Sequence, residues 1–262
     1  MATYQVRHLE SVEQHTRPWI LFNEKAASWN RPSEEVDPSV EAFHRSLPDY
    51  NETQLHNLPS IASELGISHL FLKDESTRFG LPAFKILGAS YAVHRTLCQH
   101  LNLPPTSSLG TVKDAVAQSQ KVKLVTCSEG NWGRAVARMS KIFNVRVTIY
   151  VPYFMSDYTQ GLIRGEGAEV IVLGKEKGSY DDSIAAVRAD ADETGALMVM
   201  DVAWDGYEQI PRVSSPPLFL FQLLCCCMNA VRNSGCVAIE LTRSRFLRTV
   251  GDRRICNHAH GD

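Results

Sequence analysis

The spacing of apolar positions along this chain switches repeatedly between two periods. Arg146–Val151 (RVTIYV) and Glu169–Leu173 (EVIVL) are short runs rich in β-branched residues, which pack well on a pleated surface and predict strands. His69–Lys73 (HLFLK), Lys123–Cys127 and Ala196–Met200 read as strands too. Between them the apolar residues recur at helical spacing. Phe84–Leu101 carries Ile86, Leu87, Tyr91, Val93, His94 and Leu97, and Asn131–Phe143 carries Ala135, Val136, Met139, Ile142 and Phe143 on one side. Pro59–Gly66 has proline near its start and glycine at its end, as helices prefer. Ser156–Gly165 reads as helical, and so does Ser179–Thr194, whose Asp181 and Asp182 complement the positive end of the helix dipole. Strands alternating with helices of this length predict βαβ units and a parallel sheet, an α/β fold. Residues 1–55 show no sustained period and read as an N-terminal arm.

Composition narrows the class. The chain has 262 residues, 44% hydrophobic and 21% charged, a globular profile that argues against a disordered or coiled-coil protein. A formal charge of −2 supplies no bulk field for nucleic acid or anionic lipid. The first ten residues lack an apolar core segment, so they do not read as a signal peptide. The longest apolar run, Leu218–Met228, falls short of the ~20 residues of a membrane span. A cytoplasmic enzyme without nucleic-acid or membrane partners is expected.

The charge balance breaks near Arg212. Up to that residue the chain has 21 basic and 26 acidic residues; after it, 6 and 3, with all six basic residues arginine. Five of the seven cysteines also lie in that tail, three of them adjacent at Cys225, Cys226 and Cys227. Adjacent cysteines fit no zinc spacing, so no metal site is expected.

In a parallel α/β sheet, ligands bind where strand ends turn into helices. Three polar loops qualify: Lys73–Ser90, Thr126–Ala137 and Met200–Pro211. None holds a dinucleotide fingerprint, a Walker loop, a zincin motif or a nucleophile elbow. In the second loop, Ser128, Glu129, Gly130 and Asn131 stand between strand and helix, so their amides face whatever sits above the strand end. Asn131 suits a helix N-cap equally well. In the first loop Lys85 stands between Ala83–Phe84 and Ile86–Leu87. An amine among apolar neighbours loses hydration and is suited to a Schiff base, although a lysine at a helix start can also snorkel to water.

Three stretches in order, LGISHLFLKDESTRFGLPAFKILG (residues 65–88), SEGNWGRAVA (128–137) and DVAWDGY (201–207), together resemble diaminopropionate ammonia-lyase. That family belongs to the tryptophan synthase β-like, fold type II enzymes that use pyridoxal 5′-phosphate. The resemblance runs from about Pro59 to Pro211. It implies that Lys85 is the Schiff-base lysine, that Asn131 lies beside the cofactor's 3′-oxygen, and that Ser128 and Gly130 belong to the loop facing the ring. It implies Glu129 and Asp201 as the proton-transfer pair, with Lys85, for a small amino-acid substrate in a homodimeric enzyme. Glu129 stands where the family commonly has aspartate, and Trp132 where it has histidine. Trp204 and Tyr207 are expected to pack.

The resemblance also implies domains: residues 1–55 an arm of the larger domain, 56–212 the cofactor-dependent region including the smaller α/β domain, 213–262 a divergent, poorly ordered tail that leaves the second domain incomplete. Related enzymes bind the cofactor phosphate with a glycine-rich loop beyond this point. Here Gly235, Gly251 and Gly261 are too dispersed to form an amide nest. Low activity is therefore expected of this chain. The alternatives are a threonine or serine dehydratase, a β-replacement enzyme, and a non-catalytic fragment or pseudoenzyme.

Overall fold

The computed structural model describes residues 3–7, 14–18, 38–64, 69–119, 122–214, 236–241 and 248–250. Residues 1–35 form one compact unit and 36–262 another. The first contains an antiparallel pair, β1 (Thr3–Arg7) with β2 (Gln14–Pro18).

The second unit is built around a four-stranded, all-parallel sheet in the order β7-β6-β5-β8, from β5 (Lys123–Cys127), β6 (Arg146–Val151), β7 (Glu169–Val172) and β8 (Leu197–Met198). The parallel α/β expectation is met. Leu124–Cys127 are all buried, as expected of a strand covered on both faces and therefore apolar without alternation. The last strand is shorter than Ala196–Met200, because only Leu124 and Val125 of β5 pair with it.

Helix α5 (Asn131–Phe143) buries Ala135, Val136, Met139 and Phe143 and ends at Asn144 in the left-handed region, φ 56°. Helix α3 (Lys85–His100) packs against it and is buried almost all round; Gly88, Ala89, Ser90 and Ala92 let neighbours approach closely. Helix α6 (Asp157–Gly165) starts at an N-cap, Ser156, and α7 (Tyr180–Thr194) at a full capping box of Ser179 and Asp182. Helix α4 (Leu109–Gln118), capped by Ser108, has no counterpart in the pattern described above. Its buried stripe is only Val112 and Val116, too sparse to stand out after a polar loop. Residues 209–214 form a short helix, α8.

A second, mixed sheet has the order β10-β9-β4-β3. Its β3 (Leu55–Asn57) is antiparallel to β4 (His69–Asp74), while β9 (Cys236–Leu241) runs parallel to β4 and antiparallel to β10 (Arg248–Val250). The tail thus contributes at least these two strands, and its cysteine run lies outside the described residues. Of the remaining elements, α2 (Pro59–Glu64) follows β3.

Helix α1 (Pro38–Ser46) lies against α3 through Val40, Phe43 and His44. His44 is buried, and its Nε2 donates to the Leu87 carbonyl at 3.0 Å. Burial pushes its pKa down to about 4, against an ordinary 6.5. The unfolded chain therefore takes up this proton first. The contribution of His44 is expected to be intact above pH 6.5, to fall by about 3 kcal/mol between pH 6.5 and 4, and to level off below 4. Urea unfolding at pH 7 and pH 4.5 should show this loss, and His44→Gln should flatten the slope in that window.

Candidate active site

The first functional side chain is positioned by a loop whose anchor is buried. Between β4 and α3, Glu75 is fully buried and Arg78 is 3% exposed. Arg78 Nε donates to Glu75 Oε2 and Arg78 Nη2 to Glu75 Oε1, both at 2.7 Å, while the Thr53 hydroxyl also donates to Oε1. Arg78 Nη1 reaches the Asn51 carbonyl at 2.8 Å, and the Asn51 side chain accepts from the Phe79 amide at 2.8 Å. The Lys73 ammonium donates to the Thr53 carbonyl. Residues 51–54 and 73–79 are thereby clamped together. Phe79 takes a left-handed conformation (φ 50°), and Arg138 of α5 donates to its carbonyl at 3.2 Å. The chain then enters α3 with Lys85 as its first residue.

The second contribution comes from the turn between β5 and α5. The Ser128 hydroxyl accepts from the Gly130 amide at 2.9 Å and the Gly133 amide at 2.8 Å. A side chain at Gly133 would put its first carbon 2.7 Å from the Ser128 Cβ, so the turn closes this tightly only around glycine. Gly130, not Asn131, is the helix N-cap; Asn131 opens α5, and its side chain has no hydrogen-bond partner among the described residues. The capping role open to Asn131 on residue type is thus not the one it takes. Gly130 has nothing within 4 Å of where a side chain would project.

The third contribution is Asp201, just past β8. Its segment is pinned from two sides. Tyr207 donates its hydroxyl to the Met198 carbonyl at 2.9 Å and accepts from the Met200 amide at 3.1 Å. Trp132 donates its indole N–H to Thr126 Oγ1 at 3.1 Å and to the Val199 carbonyl at 3.3 Å. Trp204 stacks on Tyr207 at 4.5 Å, and the Arg188 guanidinium lies 4.1 Å from the Trp204 ring centroid.

These three loops meet. Lys85 Nζ donates to Asp201 Oδ2 at 2.9 Å and lies 5.9 Å from the Trp132 ring and 5.7 Å from the Phe84 ring. Lys85, Ser128, Glu129, Gly130, Asn131 and Asp201 all line one cavity of about 780 Å³, a size suited to a cofactor with a small substrate. Glu129 is exposed at the turn, whereas Asp201 is mostly buried. Arg134, held by Glu166, and Tyr180 also line the cavity. Sequence reasoning missed Tyr180, whose only signal was its place beside the Ser179 cap. Burial first, then the nearby Cys127 and Asp201, push its pKa up, and burial pushes the Cys127 thiol to about 12. Both stay protonated and neutral at physiological pH. Among the described residues no cluster of His, Cys, Asp and Glu could hold a metal ion, and no helix is long and apolar enough to cross a membrane.

Residues 47–211 match the family model of the pyridoxal-phosphate dependent enzymes. The chain belongs to that family. Within it, diaminopropionate ammonia-lyase of Salmonella typhimurium is 37% identical over 179 residues, 67% of this chain and 44% of that protein. The Escherichia coli protein of the same name is 36% identical over 171 residues, 64% of this chain and 42% of its own. The E. coli enzyme solved in apo form superposes with a TM-score of 0.66 at 31% identity, covering 74% of this chain and 52% of that one. Its complex with D-serine gives a TM-score of 0.68 at the same identity. The chain spans about half the length, or less, of these relatives. These likenesses carry the fold type II expectation.

The family's cofactor can be tested against the residues present. A pyridoxal group needs a primary amine, room for a flat ring and donors for its ring oxygen. The Lys85 amine faces the cavity, the Gly130 backbone is open to close approach, and the Asn131 amide is free to donate. The described residues fit the ring end of the cofactor.

Proposed function

We propose that the chain is the ring-binding and proton-transfer part of a pyridoxal-phosphate ammonia-lyase that converts 2,3-diaminopropionate to pyruvate and ammonia. The observation that carries this reading is the 2.9 Å contact between the Lys85 amine and the Asp201 carboxylate on the wall of the shared cavity. When bound, the cofactor supplies an electron-withdrawing ring that stabilises negative charge at the substrate α-carbon. Everything else falls to side chains of this chain. Lys85 holds the cofactor covalently and is the amine that substrate must displace. Asp201, pinned through Met200 and Val199, takes and returns a proton on the buried side. Glu129, on the exposed side, is the second base, and a carboxylate on each side gives access to either hand of the α-carbon. Asn131 donates to the ring oxygen, while Ser128 acts indirectly, since its hydroxyl is committed to the Gly130 and Gly133 amides. Trp132 and Tyr207 brace the walls.

The same reading makes the substrate a small amino acid and the enzyme a cytoplasmic homodimer; sedimentation of the purified chain tests the assembly. The test is pyruvate release at saturating pyridoxal phosphate. Release from 2,3-diaminopropionate, exceeding that from serine and threonine, is expected. Faster release from threonine or serine would point to a dehydratase, and no release from any of the three to a non-catalytic chain.

A further inference from the structure

Before Lys85 can bond to any aldehyde, its ammonium must lose a proton, and the cavity offers few groups able to take it. The nitrogen has one hydrogen-bond partner among the described residues, Asp201 Oδ2 at 2.9 Å. The two rings beside it, Phe84 and Trp132, are aromatic faces that attract a cation but accept no proton. The Ser128 hydroxyl is occupied by two amides. Tyr180 is a phenol that burial keeps protonated and neutral, so it cannot act as a base. Arg134 is a cation engaged by Glu166, and Glu129 lies out at the exposed turn. The second Asp201 oxygen, Oδ1, makes no hydrogen bond among the described residues, which leaves it available to an incoming oxygen.

We infer that Asp201 is the proton shuttle through which Lys85 captures the aldehyde of its cofactor, a task separate from any proton transfer with substrate. The inference rests on the cofactor reading above but not on the lyase reading. The steps balance. The Lys85 ammonium gives a proton to the Asp201 carboxylate, and the freed lone pair bonds to the aldehyde carbon while the C=O π pair moves to oxygen. Asp201 returns its proton to that oxygen. A second proton follows from nitrogen by the same route, the C–O bond breaks, and water leaves. The net change is one ammonium plus one aldehyde to one protonated imine plus one water. Charge is conserved, and no oxidant, reductant or further reactant is needed.

The test uses the full chain and pyridoxal 5′-phosphate, with no amino-acid substrate. Aliquots are quenched with borohydride over time, and the label on each lysine is quantified by peptide mass spectrometry. Exposed Lys141 serves as the internal reference. Positioned acid–base groups contribute roughly 10²–10⁴-fold to proton-transfer steps, so at least a tenfold slower labelling of Lys85 is expected in Asp201→Asn, with Lys141 unchanged. Asp201→Ser also lacks the carboxylate, and whichever variant keeps the wild-type melting transition decides. Asp201→Glu, which retains a carboxylate, should label faster than either. Labelling of Lys85 in a folded Asn or Ser variant as fast as in wild type, or faster, overturns the inference, as does a Glu variant no faster than these. Failure of the lyase reading would appear instead as intact Lys85 labelling together with no pyruvate release when 2,3-diaminopropionate is supplied in a separate assay.

Discussion

Arg78→Met is expected to lower the unfolding free energy by about 3–5 kcal/mol, the usual cost of removing one partner of a buried ion pair. Both oxygens of the fully buried Glu75 carboxylate are satisfied by Arg78, with Thr53 adding a third donor. Methionine fills similar space but leaves a buried charge with only a hydroxyl to meet it. The midpoint of urea unfolding should fall with little change in slope. Glu75→Leu combined with Arg78→Met should recover much of the loss, because the penalty lies in the orphaned charge more than in the missing attraction. If Arg78→Met and the double variant are equally unstable, shape rather than charge governs this site. The effect has a functional consequence, because the same clamp sets the path of the loop that delivers Lys85 to the cavity.

The second large effect concerns Lys85 itself. Lys85→Ala should lower the rate of pyruvate formation by roughly three orders of magnitude or more, the scale seen when a covalent catalytic group is removed. The fold should tolerate the change. Lys85 is the first residue of α3, its side chain is about one-third exposed, and its one ion pair among the described residues is with Asp201. The melting transition should therefore move little while activity disappears. A variant that melts normally and retains more than a tenth of wild-type turnover would remove Lys85 from the mechanism.

The parts of this molecule that were legible in the sequence are those in which one element carries its own signal. β6 is rich in β-branched residues, and α5 shows a stripe from Ala135 to Phe143, so each could be placed without its neighbours. The loops at the strand ends were legible because their chemistry is local: Lys85 follows an apolar stretch, and Gly130 and Asn131 follow a strand. The clamp around Glu75 left no such trace. Its partners Thr53 and Arg78 lie 22 residues and 3 residues away, and no periodicity connects them. The influence of Cys127 on Tyr180 likewise connects the end of one strand to the start of a distant helix. Asn131 shows why residue type misleads at a helix start. It is a good cap, but the turn closed by Ser128 puts Gly130 in the capping position and frees the asparagine for the cavity. Trp132 occupies a position where a family histidine is common, and the fold uses its indole N–H to bridge Thr126 to Val199, beside the segment that carries Asp201.

The expectation is that Lys85, alone among the nine lysines, carries the cofactor. It is tested most directly by loading the chain with pyridoxal 5′-phosphate, reducing with borohydride and mapping the modified peptide. The account predicts a phosphopyridoxyl group on Lys85 and its loss in Lys85→Ala. A dominant label on Lys73, whose ammonium is committed to the Thr53 carbonyl, or on the exposed Lys141 would contradict it.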